Sequence, residues 1–241
     1  MSNQDTIHRD LVAVVRKHEE SRYRRPIAAH NKMLFQRLGR IVGRRGDPLI
    51  FDSGCGDGES TRRLALRYPN HLVIGIDKSR ARLARGRAMA PLDNLLLVHG
   101  DCIDLWRLAL AAGWTVEQHY LLYPNPWPKA KHLRRRWHGH PVFGCLVALG
   151  GLLEVRTNWE NYVAEFALAL ATIGAGEAGV ERMIVEDPLT PFERKYLAGG
   201  HALYRLSTRL PTGGASLPVE ALSDPFNGGR AVEDREREEP R

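Results

Sequence analysis

Cysteine is scarce in this sequence, and its three cysteines are far apart. Cys55, Cys102 and Cys145 form no C-x-x-C pair. An odd number of cysteines without that spacing fits neither a disulfide framework nor a zinc site. The histidines of His132–His140 lie in a basic segment without clustered acids, which also argues against a metal. The pattern predicts reduced thiols and no bound metal.

Long apolar runs are missing as well. A membrane span needs about 18 to 20 uninterrupted apolar residues, and the best candidate, Val147–Val155, is short and rich in glycine. The stretch Met1–Asp10 lacks the apolar run of a signal peptide and contains acids that a mitochondrial transit peptide avoids. We therefore expect a soluble, cytoplasmic protein with no membrane partner.

Acids are nearly absent from two stretches of this chain, whose formal net charge is +7. Between Arg16 and Arg45 only Glu19 and Glu20 oppose the cations, and Lys129–Arg136 contains no acid. A single charge run is often a solvated helix face. Two such blocks favour a polyanionic partner.

Short apolar runs alternate with stretches of helical spacing along most of the chain. Seven runs predict strands, at Leu49–Ser53, Leu72–Asp77, Leu95–His99, Gln118–Tyr123, Gly151–Arg156, Glu181–Glu186 and His201–Leu206. Four stretches between them predict helices, at Glu59–Tyr68, Ser79–Met89, Cys102–Ala112 and Trp159–Ile173. This alternation builds parallel sheets through right-handed crossovers. We predict an α/β fold, a doubly wound seven-stranded sheet with helices on both faces.

Three parts are expected along the chain. Residues 1–45 form a basic N-terminal helical extension, with one or two helices across His8–Val42 and a break at Pro26. Residues 46–210 form the α/β domain. Gly, Pro, Ser and mixed charges dominate from Pro211 onward, so residues 211–241 are predicted to be a disordered tail.

A glycine-rich turn joins the first predicted strand to the following helix. Gly54, Gly56 and Gly58 alternate strictly after Asp52, a spacing that differs from the dinucleotide fingerprint G-x-G-x-x-G. Glycines let the backbone pass close to a ligand. A carboxylate at Asp52 attracts an ammonium or sulfonium group and repels a pyrophosphate. The expected ligand is therefore cationic at its centre.

Two further acids stand at the ends of the next two strands. Asp77 ends the second strand, where Rossmann-like folds place an acid that accepts hydrogen bonds from ribose hydroxyls. Asp101 follows the third strand, where it can accept from an adenine amino group or cap the helix that begins at Cys102. The turn and both acids together resemble the Rossmann-like S-adenosylmethionine-dependent methyltransferases, whose seventh strand is typically antiparallel. The resemblance implies S-adenosylmethionine as the cofactor.

A proline-rich loop, Tyr123–Lys129, follows the fourth predicted strand and reads Y-P-N-P-W-P-K. Prolines stiffen a loop, so we expect Asn125 to be held over the sheet edge where a transferred methyl group would emerge and to contact the methyl acceptor. Trp127 either stacks on a base or packs beneath the loop.

Three motifs in order make the resemblance more specific. Pro124–Arg136 resembles the P-D-P-W-P-K hallmark and the basic, His-containing helix of the bacterial tRNA (guanine-N7-)-methyltransferase family. Thr157–Glu160 is similar to the T-D-W-E segment of that family, and Thr190–Glu193 to its T-x-F-E segment. The similarity extends from Leu49 to Leu206.

The resemblance implies a tRNA partner and a role for each matching residue. Asp52, Asp77 and Asp101 would contact the cofactor. Substrate contacts would come from Trp127, Lys129, Asn158, Thr190, Phe192 and Glu193. Phosphate contacts would come from Lys131, His132, Arg134, Arg135 and Arg136.

Two amides depart from the family pattern, because Asn125 and Asn158 stand where the family has aspartates. A carboxylate accepts from both guanine N1–H and the exocyclic amine, whereas an amide offers one acceptor and two donors and suits an edge such as that of adenine. Glu160 and Glu193 are the remaining carboxylates near these motifs. The predicted function is methylation of guanine N7 in tRNA. Methylation of another base, nucleic acid or small molecule, or a weakly active RNA-binding protein, remain alternatives.

Overall fold

A seven-stranded sheet forms the centre of the computed structural model, which describes residues 4–21, 23–86 and 90–211. The strands are β1 (Leu49–Ser53), β2 (Leu72–Asp77), β3 (Leu95–His99), β4 (Gln118–Leu122), β5 (Gly151–Thr157), β6 (Gly179–Arg182) and β7 (Tyr204–Leu210). Their order is β3-β2-β1-β4-β5-β7-β6. The first five strands in this order, β3, β2, β1, β4 and β5, are parallel to one another. Strand β7 runs antiparallel to its neighbours β5 and β6. The predicted α/β fold is confirmed.

Eight α-helices surround this sheet in the described part of the chain. They are α1 (Leu11–Glu19), α2 (Ala29–Arg45), α3 (Glu59–Arg67), α4 (Arg80–Gly86), α5 (Cys102–Ala111), α6 (Phe143–Ala148), α7 (Glu160–Thr172) and α8 (Pro191–Ala198). Two short 3-10 helices, Ala130–Arg135 and Trp137–Gly139, follow the proline-rich loop. None of the helices within the described ranges is long and apolar enough to cross a membrane.

Successive residues of the central strands point to opposite faces of the sheet and enter two separate apolar clusters. Phe51 and Leu121 belong to the larger cluster, which also includes residues of α1, α2, α5, α6 and α7. Ile50 and Leu122 belong to the smaller cluster, together with Leu64 of α3. Both faces are thus covered, which explains why these strands read as continuous apolar runs.

Most predicted boundaries hold to within a few residues, and the largest differences lie at the sixth and seventh strands. The predicted strands Glu181–Glu186 and His201–Leu206 lie instead at Gly179–Arg182 and Tyr204–Leu210. Every residue of β6 is exposed, so this edge strand carries no burial pattern that a sequence could reveal. Helices α6 and α8 were not predicted.

The N-terminal helices share the core of the sheet. Leu11 and Val15 of α1, and Phe35 and Leu38 of α2, are buried in the larger cluster. Helix α1 packs against α7, and α2 packs against α5. Pro26 lies between the two helices, as predicted. The predicted tail lies outside the described residues, apart from Pro211.

Candidate active site

The glycine turn after β1 leaves open space beside its backbone. Gly54, Gly56 and Gly58 have φ values of +85°, +64° and +85°, in the region that favours glycine. A Cβ atom added at Gly54 or Gly56 would meet no other atom within 4 Å, whereas one at Gly58 would lie 2.6 Å from the side chain of Leu97. A ligand can therefore approach the main chain of the turn at its first two glycines.

Asp52 lies beneath this turn and is only 1% exposed. Its Oδ2 accepts hydrogen bonds from Ser60 Oγ at 2.6 Å and Thr61 Oγ1 at 2.7 Å. Its Oδ1 has no partner among the described residues. Burial raises the pKa of Asp52 to about 6 against the effect of these two bonds, and the nearby Asp77 carboxylate adds to the rise. A cation bound at the open side of the glycine turn would offset the cost of this buried charge.

Asp77 connects the end of β2 to the glycine turn. Its Oδ2 accepts from the backbone N–H of Gly56 at 3.0 Å, and its Oδ1 accepts from Ser79 N at 2.7 Å. Arg82 Nη2 forms an ion pair with Oδ1 at 3.1 Å. A carboxylate has about four acceptor positions. These two hydrogen bonds therefore leave acceptor positions on the carboxylate for a ribose hydroxyl.

Asp101 caps α5, which is one of the two roles that the sequence allowed for this residue. Its Oδ1 accepts from Ile103 N at 2.9 Å, and its Oδ2 accepts from Arg25 Nη2 at 3.1 Å. Arg25 also donates to Asp104 at 2.6 Å, which attaches the segment before α2 to this edge of the sheet. Sequence reasoning counted Arg25 only as one cation of a basic block, because its partners lie far along the chain.

A cleft of about 400 Å³ opens where β2 and β3 end. One wall includes Lys78, His99 and Asp101, and the other comes from the segment Arg25–Asn31. The adenine of a nucleoside cofactor held at Asp77 would extend toward this cleft. The cleft fits an adenosine end of a ligand, and the open glycine turn and the unpartnered oxygen of Asp52 fit a cationic centre of the same ligand.

Two residues of the proline-rich loop have a strained backbone conformation. Tyr123 and Trp127 have φ values of +53° and +47°, a region that non-glycine residues rarely adopt, at a cost of about 1 to 3 kcal/mol each. Asn125 is exposed between them, and its Oδ1 accepts from Trp127 N at 3.2 Å. This bond closes an Asx turn and leaves the amino group as the free end of the amide.

Trp127 is half-buried between the loop and the first 3-10 helix. The Arg135 guanidinium lies 4.8 Å from the centroid of its ring, and His132 meets the ring edge-on at 5.5 Å. One face of the indole is therefore already covered by a cation. Both sequence interpretations of Trp127 remain open.

Arg136 does not join the exposed basic surface, so its predicted phosphate contact is wrong. Its side chain is fully buried and donates to Glu165 Oε2 at 2.5 Å and to the carbonyl of Trp127 at 3.1 Å. Glu165 also pairs with His138 at 2.9 Å and accepts from Gln4 Nε2 at 2.5 Å. The guanidinium thus holds the proline-rich loop from below. The cations that remain exposed here are Lys129, Lys131, Arg134 and Arg135.

Thr190 and Glu193 form a capping box at the start of α8, a structural role beside which their predicted substrate contacts stay predictions. Thr190 Oγ1 accepts from Glu193 N at 3.0 Å, and Glu193 accepts from Leu189 N at 2.5 Å and from Arg156 Nη1 at 2.9 Å. Both side chains are buried. Phe192 lies between them in sequence and is 45% exposed. Phe192 is the exposed member of this motif.

The remaining predicted residues lie near the same edge of the sheet. Asn158 follows β5 and is half-buried, and Glu160 begins α7 and is exposed.

Within residues 4–21, 23–86 and 90–211, no group of three or more His, Cys, Asp or Glu side chains is placed to hold a metal ion.

Two solved methyltransferases have a fold similar to that of this chain. The 16S rRNA methyltransferase KamB has a TM-score of 0.52 at 18% identity, over 77% of this chain and 95% of that one. The 16S rRNA (adenine(1408)-N(1))-methyltransferase of Catenulisporales acidiphilia has a TM-score of 0.51 at 19% identity, over 73% of this chain and 94% of that one. The fold and the site define the class of Rossmann-like S-adenosylmethionine-dependent methyltransferases.

Sequence comparison gives the family within this class. Residues 46–206 match the model of the family described as "Putative methyltransferase". A tRNA (guanine-N(7)-)-methyltransferase of Nocardioides sp. is 36% identical over 68% of each chain, and that of Leifsonia xyli is 31% identical over 71% of this chain and 80% of its own. The chain belongs to the tRNA (guanine-N(7)-)-methyltransferase family.

Proposed function

We propose that this protein transfers the methyl group of S-adenosylmethionine to N7 of a guanine in cytoplasmic tRNA. The observation that carries the proposal is the open glycine turn over Asp52, at the same sheet edge as the strained loop that presents Asn125. The names of the relatives support guanine N7 as the acceptor. In this proposal residues 46–210 are the catalytic domain and residues 1–45 a basic extension.

The chemistry needs positioning more than proton transfer. The bound cofactor supplies an electrophilic methyl group on a sulfonium. In the proposed arrangement Asp52 and the glycine turn hold the charged end of the cofactor, Asp77 holds its ribose, and Asn125 orients the acceptor base. Guanine N7 carries a free lone pair, so alignment with the methyl group can supply much of the rate. The burial of Glu193 against Arg156 is compatible with a reaction that needs no general base.

The product nucleoside is the direct test. Purified protein is incubated with S-adenosylmethionine and unmodified tRNA, and the digested RNA is analysed by mass spectrometry. We expect N7-methylguanosine from the wild type and none from Asp52→Ala. A different methylated nucleoside would contradict the guanine assignment and favour the alternative that the two amides suggest. Cofactor binding without turnover on total RNA would contradict the enzymatic assignment.

Asp77→Ala should weaken S-adenosylmethionine binding by about ten- to a hundredfold, since a hydrogen bond to a charged acceptor contributes about 1.5 to 3 kcal/mol. Titration calorimetry measures the change, and Asp77→Asn tests it with the side-chain shape preserved. Asp10→Ala, which removes an exposed acid immediately before α1, serves as the control. Unchanged affinity in a folded Asp77 variant would show that the ribose lies elsewhere.

Asn125→Asp should keep or raise activity on guanine. One carboxylate oxygen can retain the bond to Trp127 N, and the other can accept from a guanine N–H, where a charged acceptor gives a stronger bond. Asn125→Ala should lower the rate, because both contacts are lost. Methyl incorporation into tRNA is compared for the three proteins. Equal rates would exclude contact between residue 125 and the acceptor, and a loss confined to Asn125→Asp would indicate that the base presents a lone pair to this position.

A further inference from the structure

Three aromatic rings are stacked at the carboxyl edge of the sheet, next to the proline-rich loop. The rings of Tyr123 and Phe192 are 6.4 Å apart at 26°, and those of Phe192 and Tyr196 are 6.3 Å apart at 24°. Tyr123 and Tyr196 are 5.6 Å apart at 34°. Tyr123 and Tyr196 are half-buried, whereas Phe192 is exposed. Two rings thus support a third ring that is open to solvent.

Ion pairs place this aromatic cluster beside the cofactor turn. Arg194 of α8 donates to both carboxylate oxygens of Glu59, at 2.5 and 2.7 Å. Glu59 is the first residue of α3 and directly follows Gly58. Arg63 of α3 pairs in addition with Asp187, just before α8, at 2.8 Å. Helix α8 therefore adjoins the helix that starts at the glycine turn.

The other side of the cluster continues into the loop that presents Asn125. Tyr123 contributes its ring to the cluster and precedes Asn125 by two residues, in the strained left-handed conformation. Helix α8, which carries Phe192, is therefore joined to α3 on one side and contacts the start of the Asn125 loop on the other. A flat group stacked on Phe192 would therefore lie beside the loop that presents Asn125.

We propose that the exposed face of Phe192, supported by Tyr123 and Tyr196, is the platform on which the acceptor purine stacks for methyl transfer. This inference rests on the proposed function, in that the acceptor is a base. Proteins bind unpaired bases by stacking them on aromatic side chains. Phe192 is the one aromatic side chain among the most exposed large apolar residues of the described ranges. Trp127, the other candidate, already has Arg135 over one face.

Stacking and simple apolar cover predict different results on substitution at this position. Phe192→Leu keeps an apolar side chain but removes the flat ring, whereas Phe192→Trp enlarges the ring. If the base stacks here, Phe192→Leu should lower kcat/KM for tRNA by about ten- to a hundredfold, the range expected for one stacked base. Phe192→Trp should stay within a few-fold of wild type. S-adenosylmethionine affinity, measured by calorimetry, should be the same in all variants.

The matched control is Leu197→Ala, which removes an exposed apolar side chain from the same helix. It should leave kcat/KM unchanged. A Phe192→Leu protein with wild-type kcat/KM would overturn the platform, as would equal losses in Phe192→Leu and Leu197→Ala. A drop in cofactor affinity that accounts for the lost activity would also overturn it.

A binding experiment separates this inference from the proposed reaction. The tryptophan introduced by Phe192→Trp should lose fluorescence when unmodified tRNA is added without cofactor, because a stacked base quenches it, and Leu197→Trp should show little change. Quenching with no N7-methylguanosine formed would support the platform and contradict the proposed reaction. Equal quenching in the two variants would overturn the platform even if N7-methylguanosine is formed.

Discussion

Arg136→Met should lower the free energy of unfolding by about 3 to 5 kcal/mol, because removing one partner of a buried ion pair leaves an uncompensated charge. Arg136 and Glu165 are both fully buried, and their bond is 2.5 Å long. The substitution keeps most of the volume but leaves Glu165 with only neutral partners and His138. The bond that supports the Trp127 carbonyl is lost as well.

Urea unfolding at pH 7 measures this effect, with Arg135→Met as the matched control on an exposed neighbour. Surface substitutions usually change stability by less than about 0.5 kcal/mol. Adding Glu165→Gln to Arg136→Met should restore part of the loss, since the buried charge is then absent. If the free energy of unfolding of Arg136→Met lies within about 1 kcal/mol of the wild-type value, the ion pair does not make the expected contribution to stability.

The effect should also depend on pH. Burial raises the pKa of Glu165, but the bonds and charges of His138 and Arg136 outweigh it and lower the pKa from 4.5 to about 2. A depressed carboxyl pKa stabilises the folded state above the unfolded value, and this contribution is lost as the pH falls through the folded value. The difference between wild type and Arg136→Met should therefore shrink between pH 4.5 and about 2.

Replacing Lys131, Arg134 and Arg135 together by glutamine should weaken tRNA binding by about a hundredfold at 0.15 M salt and flatten the salt dependence by about 2 to 3 units. These three cations are exposed on the 3-10 helix that follows the proline-rich loop. Each phosphate contact releases counterions from the RNA, so losing contacts reduces both the affinity and its slope with salt.

Filter binding across a salt series measures this slope. The same loss of charge at Arg37, Arg40 and Arg44 on α2 is the control for net charge. A smaller change in that variant would locate the phosphate contacts at the 3-10 helix. Equal effects in the two triple variants would attribute binding to overall charge, and a parental slope in the first would assign that helix to solvated surface.

The cofactor side of the site was easier to predict from sequence than the substrate side. The glycine turn, Asp52 and Asp77 follow from strand ends, because glycine spacing and the ends of parallel strands fix where such residues meet. Arg136 looks in sequence like its exposed neighbours Arg134 and Arg135. Its burial depends on Glu165, which lies 29 residues further along the chain.

The capping box of α8 was, by contrast, visible in the sequence. Thr190 and Glu193 have the spacing of a box, and Pro191 occupies a first-turn position that favours proline. The same four residues also match a family motif, so the sequence supports a functional interpretation of them as well as a structural one. Arg25 gave no such signal, because its pairing with Asp101 and Asp104 depends on the tertiary fold alone.

The substrate loop is supported by two segments that lie far apart in the sequence. Gln4 N donates to the Pro128 carbonyl at 2.9 Å, and Gln4 Nε2 bonds Glu165, 161 residues away. At synthesis rates of about 5 to 20 residues per second, the segment around Gln4 precedes α7 from the ribosome by about 8 to 32 seconds. Within that interval, before Glu165 is made, synthesis of the glycine turn and the first four strands is completed, while the loop still lacks part of its support. A nascent chain therefore acquires the elements of its cofactor site before it can form its substrate site.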